Sequence, residues 1–394
     1  MGNIFKYYYY GNQESKSDDK YKKQLQDYKN YFFNNYKIVD ILGKGGFATV
    51  FLVQHQKNEK IVYAMKVIEK EEVLTKEESE DYNEILIEET FEEIPLCYST
   101  KIERNIMVNI SKINDPFLLR IKSAFQDSIN FYIISEYIPG KNLWHYFSET
   151  KKFGGEFAKF YAIEILLGLE TLHALNIAHC DLKFDNILVD TDGHIKICDF
   201  GCGWVQIPNR VRTEVVGTPL YMAPEIIGKK GYNKMVDWWS YGIILYIMIS
   251  GKIPLVPRGK GEKIKIEMLD SFSDAEKDLL QGLLNPDPKK RLGSKNGAKE
   301  IKNHKYFKGV IWEEYRNKKI DGPFKHSPEN LQEERKKPIP NKTVFSKDNN
   351  YIKFRNFTYV SKTLLDERNE EIKDDDNNQN QNNITLNEQS KNKQ

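Results

Sequence analysis

The spacing of hydrophobic residues changes along the chain and predicts two kinds of structure. Between residues 36 and 132 short runs of β-type residues alternate with turns, and Ile61–Val67 is the clearest predicted strand. Lys101–Ile110 has helical spacing, and from residue 142 to 307 such helical patterns dominate. A β-rich segment followed by a helix-rich one predicts an α+β protein whose two lobes enclose a cleft.

The flanking segments differ in composition from these lobes. The N-terminal arm is rich in Tyr, Lys and Asn and is expected to be partly helical, and an acidic insertion, Glu69–Glu93, interrupts the small lobe. The chain beyond Phe307 is polar and contains several prolines, which favours an extended tail, and its end has a disordered composition. The predicted organisation is an N-terminal arm (1–35), a folded domain (36–307) with small (36–136) and large (137–307) lobes, a tail (308–365) and a disordered end (366–394).

The candidate chemistry surrounds one short hairpin in the large lobe. Its two strands are predicted at Ile187–Val189 and Ile195–Ile197. Antiparallel pairing brings the residue before the first strand beside the residue after the second, so Asn186 and Asp199 should converge. Both side chains offer hard oxygen ligands of the kind that Mg²⁺ prefers. With Asp181 and Lys183 just upstream, the segment outlines a phosphoryl-transfer centre.

A glycine-rich turn between two predicted strands, Gly43–Val50, is the second candidate feature. Glycines let backbone amides approach a phosphate because no Cβ intervenes. Lys66 and Ala64 share one face of the next strand, since side chains alternate along it, and a lysine there suits pairing with the same phosphates. Taken singly, a plain glycine hairpin and a surface lysine are the alternative interpretations.

Composition narrows the classes of partner and compartment. The 394 residues are 40% hydrophobic and 29% charged with a formal net charge of +2, which gives no general reason to expect nucleic-acid or membrane binding. Cysteine is too sparse for a disulfide framework and favours a reducing compartment, so we expect a cytoplasmic protein, with the nucleus as the alternative. The start of the chain is typical of myristoylation at Gly2, although Lys6 stands where Ser or Thr is preferred, and membrane contact is expected only with that acyl chain.

Motifs in a fixed order make the chain resemble the eukaryotic protein kinases over residues 36–307. They are the glycine loop, Tyr63–Lys66, Asp181–Asn186, Asp199–Gly201 and Ala223–Glu225. Within that family the chain is similar to the AGC group, and most to its cyclic-nucleotide-dependent enzymes. This narrower likeness lies in Gly217–Glu225, Gly231–Trp239, Ile301–Phe307 and the tail element Phe354–Tyr359.

The resemblance implies a two-lobed protein kinase fold and a role for each matching position. Asp181 would accept the proton of a substrate hydroxyl, and Lys183 would neutralise charge on the transferring phosphoryl group. Asn186 and Asp199 would hold Mg²⁺. ATP would be bound by the glycine loop, the strands beside it and the hinge, through Leu42, Gly43, Lys44, Gly45, Gly46, Val50, Ala64, Lys66, Glu103, Glu136 and Tyr137.

Other implied roles concern the support of this site. Glu103 would orient Lys66 through an ion pair, with Glu84 and Glu88 of the acidic insertion as rivals. The tail element would pack its aromatic rings behind the helix of Glu103, with Thr358 as a regulatory candidate; a chance aromatic cluster is the alternative. Two structural roles are also implied in the large lobe, an ion pair between Glu225 and Arg291 and the bracing of the catalytic loop by Asp237.

Two departures from the family pattern concern activation. Cys180 stands where the family has an arginine that pairs with a phosphate on the activation loop. Glu214 occupies the position of the usual phosphothreonine, and the neighbouring Thr213 is a rival regulatory site. Together these changes predict activity that does not depend on phosphorylation of the activation loop.

Two further departures concern the choice of ligand and substrate. Ser135 stands where a larger residue commonly closes the pocket behind the adenine, so bulky ATP-competitive ligands should be admitted. Asn142 and Ile247 replace two of the acidic residues that read basic residues upstream of the phosphorylated one, which leaves Asp185. The family's preference for several arginines in that part of the substrate is therefore not expected.

The prediction that follows is a Mg²⁺-dependent Ser/Thr protein kinase that uses ATP and acts on protein substrates in intracellular signalling. It is expected to be a monomeric catalytic unit, and any cyclic-nucleotide control would need a separate regulatory subunit. The rival hypothesis is a pseudokinase that serves as an ATP-binding scaffold. It rests on Cys180, on Ala48 in the glycine loop and on the acidic insertion.

Overall fold

The computed structural model describes residues 29–45, 48–70, 96–206, 210–254, 266–325, 357–362 and 364. Within these ranges a β-rich small lobe precedes a larger helical lobe, so the α+β prediction is confirmed. Some predictions lie outside the described residues: those for Gly2, Gly46, Glu84, Glu88, Phe354, most of the acidic insertion and residues 366–394.

An antiparallel sheet forms the small lobe. Its first five strands are β1 (Tyr36–Lys44), β2 (Ala48–His55), β3 (Val62–Glu69), β4 (Ile121–Gln126) and β5 (Asn130–Glu136). They lie side by side in the order β1-β2-β3-β5-β4. One face buries alternate side chains such as Val53 and Met65, as the pleat requires, and residues 29–35 form a helical turn that covers this face with Phe32.

Helix α1 (Leu96–Ile113) packs on the opposite side of the sheet through Ile106 and Ile110. The helix is longer than the predicted Lys101–Ile110 at both ends. Residues 96–113 contain no Gly or Pro that would end it. Pro95 immediately precedes the helix, and Asn114 ends it in a left-handed conformation with φ of 57°.

The large lobe is built around two helices that are apolar on almost every side. Its helices are α2 (Leu143–Thr150), α3 (Gly155–Ala174), α4 (Pro224–Ile227), α5 (Val236–Ser250), α6 (Asp274–Leu283), α7 (Ala298–Lys302) and α8 (Trp312–Arg316). Helices α3 and α5 lie at its centre, which explains their lack of a polar face. In the described parts of the chain, no helix combines the length and hydrophobicity needed to cross a bilayer.

Short strands in the large lobe carry the chemistry-bearing loops. They are β6 (Ile177–Ala178), β7 (Ile187–Val189), β8 (Ile195–Ile197) and β9 (Trp204–Val205). The predicted hairpin is confirmed, since β7 pairs antiparallel with β8 and Leu188 lies opposite Lys196. The loop before the hairpin and the loop after it therefore emerge at the same edge, below the small lobe.

The prediction of an extended tail directly after Phe307 is wrong for the residues up to 325. Helix α8 packs on the large lobe, where Arg316 forms ion pairs with Asp115 and Glu170. Phe324 stacks on the Tyr146 ring with 4.9 Å between centroids. A few large aromatic side chains bury this segment despite its polar composition. Farther on, strand β10 (Tyr359–Val360) pairs antiparallel with β4 and completes a six-stranded sheet.

Candidate active site

Lys66 links the two lobes across the cleft, because it binds Glu103 of the small lobe and Asp199 of the large lobe. Its Nζ donates to both carboxylate oxygens of Glu103, at 2.7 and 3.0 Å, and to Asp199 Oδ1 at 2.9 Å. Strand β3 aims Lys66 into the cleft because Met65 and Val67 on either side point into the core. Burial acts to lower the pKa of Lys66, but Glu103 and Asp199 outweigh it, and the net shift is upwards. Lys66 is therefore a permanent cation.

Asp199 presents a carboxylate at the edge of the cleft. Lys66 holds the pKa of Asp199 below its usual value, and 45% of the Asp199 side chain is exposed. The backbone at Asp199 is left-handed, with φ of 62°, a conformation that costs free energy and persists only where neighbours impose it. The next residue, Phe200, is fully buried with its ring 5.3 Å from His179 and anchors this loop.

The catalytic-loop carboxylate, Asp181, is held from both of its oxygens. Oδ2 accepts from Lys183 Nζ at 2.8 Å and from Asn186 Nδ2 at 3.2 Å. Oδ1 accepts from the Thr218 hydroxyl at 2.7 Å, and that hydroxyl also accepts from Lys183 at 2.8 Å. The sequence assigned no role to Thr218, although it lies inside the motif Gly217–Glu225.

A buried carboxylate of the core supports the backbone of the catalytic loop just before Asp181. The fully buried Asp237 accepts from the backbone N–H groups of His179 and Cys180, both at 2.9 Å. His173 Nε2 lies 2.8 Å from the same carboxylate. The bracing role predicted for Asp237 is confirmed. The ion pair of Glu225 with Arg291 is confirmed as well, at 2.7 and 2.9 Å.

Asn186 and Asp199 carry side-chain oxygens of the kind that a hard cation prefers. Asn186 donates through Nδ2 to the Asp181 carbonyl at 2.9 Å, which leaves its Oδ1 as the acceptor. Its own carbonyl accepts from the N–H of Cys198 at 2.9 Å, so Asn186 lies beside the residue that precedes Asp199. Oxygen donors of this kind suit Mg²⁺, which completes its shell with phosphate and water. No cluster of three or more His, Cys, Asp or Glu side chains suited to a metal occurs among the described residues.

The glycine loop continues strands β1 and β2 above this cluster. Gly43 lies opposite Val50, and the Gly45 N–H donates to the Ala48 carbonyl at 2.8 Å. Val50 in turn lies opposite Lys66 in the β2–β3 ladder. The other nucleotide candidates described on these strands, Leu42, Lys44 and Ala64, are half-buried or exposed. The structure thus aligns Gly43, Val50 and Lys66 across strands β1, β2 and β3.

Glu136 lies in the hinge, and its carboxylate is bound by side chains of the protein. Its carboxylate is bound by Arg120 at 2.7 Å and by Lys196 at 3.1 Å, a network that sequence reasoning missed. Any contribution of Glu136 to adenine binding would therefore come from its backbone. Tyr137 is half-buried beside it.

Ser135 forms part of the wall behind this hinge. It is 7% exposed and lies opposite Ala64 on β3 and Ile121 on β4. Its hydroxymethyl group leaves more room there than a larger side chain would. We expect an ATP-competitive ligand with a bulky aromatic group to bind the wild type, and Ser135→Met to abolish that binding while ATP affinity is kept. Competition titrations on both proteins check this, and equal binding of the ligand to both would contradict it.

The tail element meets the back of helix α1. Phe357 is 1% exposed, its ring centroid lies 4.7 Å from that of Phe131, and the guanidinium of Arg104 lies 5.7 Å from its centre. Arg104 directly follows Glu103, so the tail supports the helix that orients Lys66. Thr358 is half-buried at this junction.

The activation segment contains an ion pair that sequence reasoning also missed. Glu214 Oε2 accepts from Arg212 Nε at 3.0 Å, and Thr213 between them is half-buried. The signal was present in the sequence, because opposite charges two residues apart lie on the same side of an extended segment.

Fold and site together define a phosphotransfer enzyme of the two-lobed kind. The family described as "Protein kinase domain" matches residues 36–307, and the chain belongs to this family. It is 35% identical over 329 residues to serine/threonine-protein kinase Sgk1-A of Xenopus laevis. The aligned residues are 80% of this chain and 71% of that protein.

Two further relatives show the same kind of similarity. Serine/threonine-protein kinase gad8 of Schizosaccharomyces pombe is 33% identical over 348 residues, 84% of this chain and 57% of its own. AtPK1/AtPK6 of Arabidopsis thaliana is 35% identical over 298 residues, 74% of this chain and 59% of its own. The chain is a Ser/Thr protein kinase with AGC-type homologues, and the pseudokinase hypothesis is not supported.

Proposed function

We propose that this kinase transfers the γ-phosphate of Mg²⁺-bound ATP to Ser or Thr hydroxyls of proteins without prior phosphorylation of its activation segment. The observation that carries the proposal is the contact network in which Lys66 binds Glu103 and Asp199 at once. It joins the strand under the glycine loop to the loop that follows the hairpin. A triphosphate in the cleft would then meet a fixed ammonium and two cation-binding oxygens together.

In this mechanism the side chains position and neutralise more than they react. Lys66 would hold the α- and β-phosphates, and Asp181 would accept the proton of the attacking hydroxyl. Lys183, at 2.8 Å from Asp181, would offset the charge on the transferring group. Mg²⁺ held by Asn186 and Asp199 would supply further positive charge at the phosphates. Such preorganised charges stabilise a transition state without a covalent enzyme intermediate.

We also propose that substrates need no series of arginines before the phosphorylated residue. Asn142 uses its side chain to cap helix α2, accepting from the His145 N–H at 3.0 Å. Ile247 is fully buried in helix α5. Asp185 is exposed beside the catalytic loop and is left as an acidic contact. One carboxylate of this kind favours at most a short basic element in the substrate.

Several narrower expectations stay proposals. They are a cytoplasmic, monomeric catalytic unit, a specific likeness to the cyclic-nucleotide-dependent enzymes, and control by a separate regulatory subunit. The small number of cysteines supports an intracellular site of action.

The test is transfer from radiolabelled ATP to a peptide library by phosphatase-treated protein. We expect label on Ser and Thr, transfer by Thr213→Val at the wild-type rate, and none by Asp199→Ala. Absence of transfer by the wild type would refute the proposed activity. Activity that appears only after Thr213 is phosphorylated would refute its independence of phosphorylation.

A further inference from the structure

Position 180 of the catalytic loop carries no charge in this chain. The Cys180 side chain is 4% exposed, and burial raises the pKa of its thiol above the usual value, so the thiol stays protonated. Its backbone is left-handed, with φ of 62°, and is fixed by the bond from its N–H to Asp237. Since the family resemblance places an arginine here to bind the activation-segment phosphate, another group has to position that segment.

A guanidinium from the activation segment lies at this place. Arg212 is 7% exposed and interacts with the Cys180 side chain. Its Nε donates to Glu214 Oε2 at 3.0 Å, and its Nη1 donates to the carbonyl of Cys202 at 2.6 Å. Burial acts to lower the pKa of Arg212, but its interactions, among them the ion pair with the Glu214 carboxylate, outweigh burial and raise the pKa. The cation missing from the catalytic loop is thus present close by, supplied from a different element.

The same residues fix the backbone of the segment. Arg212 and Tyr232 exchange two backbone hydrogen bonds, of 3.1 and 2.9 Å. The Tyr232 hydroxyl donates to the carbonyl of Glu214 at 2.8 Å. These bonds hold both ends of the Arg212–Glu214 ion pair against the loop that follows helix α4.

From this ion pair the chain runs directly to the catalytic carboxylate. Gly217 has φ of 103°, and a Cβ at this residue would lie 2.5 Å from the Cys180 carbonyl oxygen. Only glycine allows so close an approach of the two backbones. The next residue, Thr218, donates to Asp181 at 2.7 Å and accepts from Lys183 at 2.8 Å. Displacement of the segment would therefore withdraw a hydrogen bond from the proton acceptor.

We infer that Arg212 is a positioning residue that replaces, from within the activation segment, the arginine that position 180 lacks. Its guanidinium holds Glu214 where a phosphate would otherwise be bound and keeps Thr218 against Asp181 in the unphosphorylated chain. The inference rests on the proposed kinase activity and names the residue on which its independence of phosphorylation depends.

The test removes the arginine from position 212 and then restores one at position 180 of the catalytic loop. Phosphatase-treated Arg212→Met should lose about tenfold or more in kcat, with the KM for ATP unchanged, because the half-buried carboxylate of Glu214 loses its partner. Glu214→Gln, which keeps the size of the side chain, should show a similar loss and serves if Arg212→Met does not fold. The double variant Cys180→Arg with Arg212→Met should recover most of the lost kcat. Arg210→Met, at an exposed arginine two residues earlier, is the control and should retain wild-type kcat.

Recovery in the double variant separates positioning from a merely structural ion pair. Arg212→Met and Glu214→Gln with wild-type kcat, or a double variant no more active than Arg212→Met, would overturn the inference while the proposed function stands. A wild type that transfers no phosphate would overturn the proposed function, and the inference with it.

Discussion

Asp181→Asn should transfer phosphate at least about 10²-fold more slowly than the wild type, with nucleotide affinity unchanged. An amide has nearly the shape of the carboxylate but cannot take up the proton of the substrate hydroxyl. Asp181 contacts Lys183, Asn186 and Thr218, and it makes no contact with Lys66 in the described structure. The loss should therefore fall on kcat and not on binding of ATP.

Steady-state kinetics with a saturating peptide measure this loss, and a separate nucleotide titration measures affinity. Asp270→Asn is the matched control, because Asp270 is exposed and far from the loop in sequence. A kcat for Asp181→Asn equal to that of the control would show that another group accepts the proton.

Lys66→Met should reduce transfer by about 10²- to 10³-fold, the cost of removing one preorganised donor from a reacting charge. Methionine fills the same space but leaves Glu103, which is 3% exposed, without the ammonium that it binds. Asp199 loses the same partner, so the lobes lose a contact that joins them across the cleft. Nucleotide affinity and kcat should fall together.

Lys60→Met is the control for this change, because Lys60 is an exposed lysine in the turn before β3. Melting temperatures of both variants separate lost chemistry from lost folding. Wild-type transfer by a folded Lys66→Met protein would show that Lys66 does not bind the phosphates.

Much of the fold follows from local pattern. The strand of Lys66 and the hairpin β7–β8 were predicted because each alternation or turn signal spans only a few residues. The packing of the segment up to residue 325 was not. It depends on contacts made by single side chains, such as Phe324 on Tyr146, between residues far apart in sequence. A composition-based prediction averages over such side chains.

In the active site, too, local features were predicted and contacts between distant residues were missed. The hairpin predicted that Asn186 and Asp199 converge, because they flank two short strands of defined register, and Asp181 was found just upstream in the same motif. The contact of the Thr218 hydroxyl with Asp181 and the position of Arg212 beside the catalytic loop were missed, since both act across a folded segment whose path the sequence does not specify. In the family pattern the arginine stands at position 180, whereas here Arg212 supplies the cation from the activation segment. A comparison position by position therefore detects the missing arginine at Cys180 but does not detect Arg212 as its replacement.

The central claim is that Lys66 and the loops of Asp181 and Asp199 form one phosphotransfer site. It is tested most directly by following the label of γ-labelled ATP into a Ser/Thr peptide, with wild type, Lys66→Met and Asp181→Asn measured side by side. The account predicts transfer by the wild type and its loss in both variants. No transfer by the wild type, or transfer at the wild-type rate by both folded variants, would contradict it.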